Sequence, residues 1–277
     1  MRWLIAALLA AQVASPPQTT FRSGVELVEL DVSVTRGGAP VAGLTARDFS
    51  LTDNGVAQEV ESVTLEKLPL SVTLVLDTSQ SVAGERLQRL VQASNGLTSA
   101  LRPDDRAALI TFSHAVDLRV PMTGDTASIR AALSHITGDG ATSLRDAVHL
   151  ALQLQPHDQT RPLMLVFTDG HDTASWLTED GAIDSARRTG VVIHVVRVES
   201  DSFLDKLTQM SGGRSWSATS DRQLQELFTK ALEEMRARYL LTYSPKNARR
   251  PGWHELKVKV KSGGDVTARR GYFVAEK

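Results

Sequence analysis

Residues 74–90, LVLDTSQSVAGERLQRL, join an apolar run to a helical pattern through a short polar stretch. The apolar run 71–77 has the length and the uninterrupted character of a strand that is buried on both faces. It ends in Asp77, Ser79 and Ser81, which are spaced two residues apart. Ligands of open α/β sheets bind at the carboxyl ends of the strands. We therefore expect this stretch to end a central strand at a binding site.

The same succession of apolar runs and amphipathic helices extends over residues 69–236. Further runs typical of strands occupy residues 106–112, 116–122, 162–170 and 191–198, and helical apolar stripes lie among them. Strands that are buried on both faces and followed by helices predict a mostly parallel sheet covered on both sides. We interpret this part of the chain as an α/β domain with a doubly wound sheet.

Two flanking segments, residues 24–65 and 238–277, have β-type patterns instead. The first contains the dipeptide Asn54-Gly55, which readily takes positive φ in a hairpin turn. The second has the pattern of three strands. Neither segment has enough strands to bury a face well alone. We expect the two segments to pair in a small β-sandwich, with the α/β domain inserted between them.

The N-terminus and the composition indicate an exported bacterial protein. Residues 1–15 contain Arg2 near their start, followed by an apolar stretch too short to span a bilayer, which is the layout of a secretory signal. The chain has no cysteine and therefore no disulfide framework, thiol nucleophile or Cys-ligated metal. Its formal net charge of −1 provides no basic excess to bind nucleic acid. We expect a periplasmic, cell-surface or secreted protein without an integral membrane span in the mature chain.

Oxygen-bearing side chains occur at three places that such a sheet would bring to one edge. Besides Asp77, Ser79 and Ser81, the sequence has Thr142 before a helix and Asp169 after an apolar strand. Oxygen ligands of this kind suit a hard divalent cation. Two carboxylates balance its charge and the hydroxyls add none, so the ion keeps affinity for one more anionic oxygen. The sequence therefore predicts a metal site that a carboxylate from a partner completes.

These residues and their order resemble the metal-ion-dependent adhesion site (MIDAS) of von Willebrand factor A domains, the fold shared with integrin I domains. The family pattern is D-x-S-x-S after the first strand, a Thr before a central helix and an Asp after a later strand, and all five positions match. The stretches GATSLRDAV, LVFTDG and LTQMSGGRSW are also similar to the family. The resemblance covers residues 69–236 and implies Mg²⁺ as the usual ion, with Mn²⁺ or Ca²⁺ as alternatives. It implies a protein-binding adhesion module, not an enzyme, whose partner supplies an Asp or Glu carboxylate.

The flanking segments resemble exported bacterial proteins of the acidobacterial von Willebrand-A-related type. The similar stretches are VAGLTARDFSLTDNGVAQEVESV before the domain and YLLTYSP, WHELKVKV and ARRGYF after it. This likeness implies an extracytoplasmic protein and little about its function.

Three other interpretations of the site stay open. Ser79 and Ser81 could cap the following helix, because serine is favoured at that position. The same metal could serve a hydrolase, for which His171 and Asp172 are the nearby candidates. The ion could also do no more than hold three loops together. His171, Asp172 and Trp176 are in addition candidates for contact with the ligand of the metal.

Overall fold

A computed structural model of the chain describes residues 27–65, 68–156, 158–247 and 250–276. The predicted secretory signal, residues 1–15, lies outside the described residues. Among the described residues, no helix combines the length and the apolar character that a membrane crossing requires.

The chain runs through a β segment, an α/β segment and a second β segment. The first segment contains β1 (Val28–Arg36), β2 (Ala39–Pro40), β3 (Phe49–Asp53), β4 (Val56–Gln58) and β5 (Ser62–Thr64). The strands of the middle segment are β6 (Leu70–Asp77), β7 (Arg106–Phe112), β8 (Val116–Thr123), β9 (Arg161–Thr168), β10 (Val192–Arg197) and β11 (Ser215–Ser217). Its helices are α1 (Glu85–Ser99), α2 (Thr126–Leu133), α3 (Leu144–Gln153), α4 (Glu179–Arg187), α5 (Ser202–Ser211) and α6 (Leu224–Arg236). The last segment contains β12 (Tyr239–Tyr243), β13 (Gly252–Val260), β14 (Asp265–Ala268) and β15 (Gly271–Val274).

The middle strands form one six-stranded sheet in the order β11-β10-β9-β6-β7-β8. Neighbouring strands are parallel except for β7 and β8, which are antiparallel. Helices α1, α2 and α6 pack into one apolar core and helices α3, α4 and α5 into another. The predicted α/β fold, with a mostly parallel sheet between two layers of helices, is therefore confirmed.

Strand β6 is buried along its whole length, which explains its uninterrupted apolar sequence. The chain leaves β6 for β7 on one side of the sheet and leaves β9 for β10 on the other. Because β6 and β9 are neighbours, their connections diverge and open a crevice at their carboxyl ends. A crevice at such a switch point is where open α/β sheets bind ligands.

The flanking strands form two further sheets, β14-β1-β12-β5 with β2 beside β1, and β15-β13-β3-β4. Each sheet pairs strands from both ends of the chain, β1 with β12 and β3 with β13. The two sheets share one apolar core that contains Leu30, Leu51, Leu241 and Leu256. Asn54 and Gly55 have φ values of 48° and 80° and join β3 to β4, so the hairpin predicted there is confirmed.

The prediction of a single third C-terminal strand is wrong, because this stretch forms two strands that belong to different sheets. β14 pairs with β1, and β15 pairs with β13. The chain crosses between the sheets at Arg270, whose N–H donates to the carbonyl of Met210 at 3.1 Å. At Gly271 a Cβ would lie 2.1 Å from the carbonyl oxygen of His254, so this crossing requires glycine.

A buried carboxylate connects the two ends of the chain. Asp53, at the end of β3, accepts hydrogen bonds from the hydroxyls of Tyr243 at 2.9 Å and Tyr272 at 2.8 Å. Its other oxygen lies 2.8 Å from Nδ1 of His254. All three partners belong to the C-terminal segment, so this N-terminal carboxylate holds three C-terminal strands at once.

Candidate metal-binding site

The central strands β6 and β9 end side by side and place two carboxylates at the same edge of the sheet. Asp77 is the last residue of β6, and Asp169 directly follows β9. The register pairs Leu76 with Phe167, which brings Asp77 level with Thr168. Two carboxylates that are far apart in the sequence therefore meet at the crevice.

The serines of the first loop connect the two strand ends by hydrogen bonds. Ser79 Oγ lies 3.1 Å from Ser81 Oγ, and the Ser81 hydroxyl donates to Asp169 Oδ1 at 2.8 Å. Asp77 Oδ1 accepts from the N–H of Ser79 at 2.9 Å, which turns the loop back over the strand end. Ser79 precedes a single 3-10 turn, Gln80–Val82, but its side chain accepts no capping N–H, and α1 begins only at Glu85 after Gly84. The capping interpretation of these serines is therefore wrong.

Asp77 is fully buried, and among the described residues no cationic side chain contacts either of its oxygens. Thr168 donates to Asp77 Oδ2 at 2.6 Å. Burial raises the pKa of Asp77 and the nearby charge of Asp169 adds to the rise, while hydrogen bonds from Ser79 and Thr168 oppose it. A bound cation would relieve this cost, because it favours the ionised carboxylate.

Thr142 belongs to a loop that is attached to both strand ends. The N–H of Gln80 donates to the carbonyl of Gly140 at 3.0 Å, which joins this loop to the first one. The carbonyl of Thr142 accepts from the N–H of Thr173 at 2.9 Å, which joins it to the loop after β9. Thr142 itself is buried. The three loops therefore form one hydrogen-bonded unit around the crevice.

The donor set fits a hard divalent cation by its chemistry. It offers two carboxylates and three hydroxyls and no nitrogen or sulfur, which suits Mg²⁺, Mn²⁺ or Ca²⁺ better than a softer metal. Within the described parts of the chain, no three His, Asp or Glu side chains are grouped in a way that could hold a metal. An ion at this edge would therefore depend on the hydroxyls of Ser79, Ser81 and Thr142.

His171 and Asp172, two of the candidate contact residues, are engaged within the loop after β9. His171 Nδ1 lies 2.8 Å from Asp201 Oδ2, and this hydrogen bond raises the pKa of the imidazole. Asp172 accepts from the backbone N–H of Arg145 at 2.9 Å and from the Ser175 hydroxyl at 2.5 Å. Burial acts to raise the pKa of Asp172, but the hydrogen bonds from Arg145 and Ser175 outweigh it and lower the pKa.

Trp176, the third candidate contact residue, has 96% of its surface exposed. The backbone N–H of Trp176 donates to Asp146 Oδ2 at 2.9 Å, and the backbone N–H of Leu177 donates to Asp146 Oδ1 at 2.9 Å. Asp146 lies in the first turn of α3, the helix that Thr142 precedes. The backbone around this indole is therefore fixed while its ring faces solvent.

Arg86 also contacts the site, and the sequence reasoning did not include it. Its guanidinium Nη1 contacts Asp169 Oδ2, and its Nε donates to Asp221 Oδ1 at 3.0 Å. No signal along the chain pointed to it. Arg86 lies in the first turn of α1, where a positive charge opposes the helix dipole, but this position does not identify a partner.

A cleft lies at the opposite end of the sheet. It has a volume of about 920 Å³ and lies between the α/β segment and the flanking sheets, near Arg161 at the start of β9. Arg161, Arg269, Tyr272 and Asp31 are among its lining residues, and none of the five predicted metal ligands is. This cleft is therefore separate from the predicted metal ligands, which lie at the other edge of the sheet.

The family model of the von Willebrand factor type A domain matches residues 72–171. The match begins within β6, includes β9 and contains all five predicted ligands, so this segment of the chain matches a von Willebrand factor type A domain. Among curated proteins, an uncharacterised protein of Synechocystis is 28% identical over 130 residues, 46% of this chain. The matched region spans only 30% of that relative's length.

Two solved structures have the same fold. A von Willebrand factor type A protein of Catenulispora acidiphila covers 85% of this chain and 76% of its own, with a TM-score of 0.57 and 12% identity. The von Willebrand factor domain of the type V pili tip protein Mfa5 from Porphyromonas gingivalis covers 60% of this chain and 94% of its own, with a TM-score of 0.52 and 14% identity. At these identities the likeness concerns the fold. The narrower resemblance to the acidobacterial type stays a prediction.

Proposed function

We propose that the chain is a divalent-metal-dependent protein-binding module of the adhesion type. The metal would be held by Asp77, Ser79, Ser81, Thr142 and Asp169, with Mg²⁺ as the usual ion and Mn²⁺ or Ca²⁺ as alternatives. When bound, the ion supplies an open coordination position for a carboxylate oxygen of an Asp or Glu from a partner protein.

The observation that carries the proposal is the group formed by Ser79, Ser81 and Asp169 beside the buried Asp77. Uncharged hydroxyls and two carboxylates balance a divalent ion without excess negative charge, which leaves affinity for an external anion. The exposed indole of Trp176 on the neighbouring loop provides an aromatic surface of the kind that anchors protein partners. The fold is shared with a pili tip protein, which is consistent with binding at a cell surface.

The proposal includes a non-enzymatic role and an exported location. The imidazole of His171 is 57% exposed, and its Nδ1 lies 2.8 Å from Asp201, which precedes α5 and ties the ring to the start of that helix. Asp172 is committed to hydrogen bonds with Arg145 and Ser175. Export rests on the sequence pattern of residues 1–15.

Metal binding is tested by calorimetric titration of Mg²⁺ and Mn²⁺ into the wild-type chain and Asp77→Ala. We expect saturable binding to the wild type and none to the variant. Asp117→Ala is the matched control, because Asp117 is an exposed carboxylate on β8, at the edge of the same sheet. Equal binding by wild type and Asp77→Ala would show that the metal, if bound, lies elsewhere.

Partner binding is tested with a displayed peptide library selected in Mg²⁺ and washed in EDTA. Selected peptides should bind only with metal, and Asp→Asn or Glu→Gln replacement in the peptide should abolish binding. Stabilisation by Mg²⁺ with no carboxylate-dependent binding would favour a purely structural ion. Mg²⁺-dependent turnover of phosphate or ester substrates that is lost in His171→Ala would favour a hydrolase.

A further inference from the structure

The guanidinium of Arg86 lies between two carboxylates that belong to different elements. Nη1 contacts Asp169 at the end of β9, and Nε donates to Asp221 Oδ1 at 3.0 Å. Asp221 lies in the single helical turn, Asp221–Gln223, that leads into α6. One cation therefore serves both a predicted metal ligand and an acidic residue outside the metal site.

Both oxygens of Asp169 are already used. Oδ1 accepts from Ser81 at 2.8 Å, and Oδ2 contacts Arg86. Only 1% of the Asp169 side chain is exposed, so an unpaired negative charge there would be strongly unfavourable. Arg86 therefore neutralises a buried carboxylate that a divalent cation would also neutralise.

The two cations cannot share Asp169 without cost, because their charges repel each other and arginine does not release its proton. Asp221 offers the guanidinium a second carboxylate that it already contacts. The side chains of Arg86 and Asp221 are both 31% exposed, so the guanidinium can stay paired with Asp221 in contact with solvent.

We propose that Arg86 is an internal counter-ion of Asp169 that competes with the divalent cation, and that Asp221 holds the guanidinium when the metal occupies the site. This inference rests on the proposed function, because it concerns how the same metal site is controlled. Arg86 thereby sets the metal affinity: the site binds its ion only when the ion replaces a cation the protein already supplies.

The test is a set of calorimetric Mg²⁺ and Mn²⁺ titrations of the wild type, Arg86→Gln and Arg86→Lys. Arg86→Gln should bind metal at least about tenfold more tightly than the wild type, a difference of about 1.4 kcal/mol. Arg86→Lys keeps the charge and should stay close to the wild type. Arg89→Gln is the matched control, because it removes the same charge from the same helix. Arg89 lies one turn further along α1 and pairs with Glu85. It should change the affinity much less than Arg86→Gln.

Asp221→Asn gives a second test with the opposite sign. Without Asp221 the guanidinium stays on Asp169, so metal affinity should fall in the wild-type background. In the Arg86→Gln background the same change should have little effect, because there is no guanidinium to hold. An equal loss in both backgrounds would mean that Asp221 acts on the metal directly, and would overturn the inference.

The inference and the proposed function fail in different ways. If the wild type binds metal through Asp77 but Arg86→Gln binds equally or more weakly, Arg86 merely positions Asp169, and only the inference is overturned. If the wild type and Arg86→Gln both fail to bind metal, the proposed function and the inference fail together. If Arg86→Gln binds metal and the wild type does not, the inference is supported, because Arg86 then excludes the ion from the wild-type site completely. A melting curve for each variant in EDTA checks that it is folded.

Discussion

Asp31 in the flanking strand β1 and Arg161 at the start of β9 form an ion pair between the flanking sheets and the central sheet. Arg161 Nε donates to Asp31 Oδ1 at 2.8 Å, and its Nη2 contacts the same oxygen. The side chain of Arg161 is 5% exposed and that of Asp31 is 11% exposed. This pair lies at the amino end of β9, while Asp169 follows its carboxyl end, so one strand connects the flanking sheets to the candidate metal site.

Asp31→Ala should destabilise the chain by about 3–5 kcal/mol, because it leaves the buried guanidinium of Arg161 without its carboxylate. Chemical denaturation followed by circular dichroism measures the loss. Replacing both residues, as in Asp31→Leu with Arg161→Met, should cost much less, since no charge remains unpaired. Asp184→Ala is the control, because Asp184 forms an exposed pair with Arg187 that is worth less than about 1 kcal/mol. A loss as small as that of the control would mean that water compensates Arg161.

Asp77→Asn should stabilise the metal-free chain while abolishing metal binding. Burial raises the pKa of Asp77, so its ionised form is unfavourable in the fold at neutral pH. The amide keeps an acceptor for the N–H of Ser79, and its NH₂ can donate to Thr168 Oγ1. Melting temperatures in EDTA and in Mg²⁺ measure both effects: the variant should melt higher than the wild type in EDTA and gain nothing from Mg²⁺. A lower melting temperature in EDTA would contradict this account.

Trp176→Ala should weaken partner binding by at least about 2 kcal/mol, the range typical of an interface hot spot. The free energy of unfolding should change by no more than about 0.5 kcal/mol, because the indole is exposed. The peptides selected in Mg²⁺ serve as probes, and fluorescence anisotropy measures their affinity. Leu118→Ala removes another exposed apolar side chain, from the edge strand β8, and should leave binding unchanged. Unchanged affinity in Trp176→Ala would exclude this indole from the interface.

The stability of the chain should fall below about pH 6.5 because of the buried His194. The Nδ1 atom of His194 accepts from the backbone N–H of Arg214 at 3.0 Å, and its Nε2 lies 2.8 Å from Glu234 Oε2. Burial lowers the pKa of His194, the Glu234 carboxylate opposes this, and the positive charges of Arg238 and Arg214 add to the lowering. The folded state therefore binds fewer protons than the unfolded state. Stability that is present above the unfolded pKa of about 6.5 is lost as the pH falls, by up to about 1.4 kcal/mol per pH unit.

His194→Asn isolates this contribution. The asparagine side-chain oxygen can accept from the N–H of Arg214 but does not titrate. Urea denaturation at several pH values between 7.5 and 5 should give a steeper loss of stability for the wild type than for the variant. Parallel pH dependences would show that another group dominates.

Local patterns were enough to predict the central architecture. The apolar run that ends at Asp77, and the similar runs later in the chain, have the composition of strands covered on both faces, and the structure places them in one sheet between helices. The turn at Asn54-Gly55 was predictable because few other residues tolerate positive φ at both turn positions. The exchange of strands at Arg270 was not, because it depends on contacts with α5 and β13 rather than on local preference.

The sequence by itself determined the α/β fold, the class of domain and the five oxygen-bearing residues expected around a metal, since these depend on hydrophobic periodicity and on motif order. Only the tertiary structure decided that Arg86 contacts Asp169, that Asp221 is its second partner, and that Asp172 is committed to Arg145. Charged side chains of ordinary surface composition acquire a specific role only where the fold brings them within contact distance of one another. The physical reason is that an ion pair depends on distance and burial in space, which spacing along the chain does not encode.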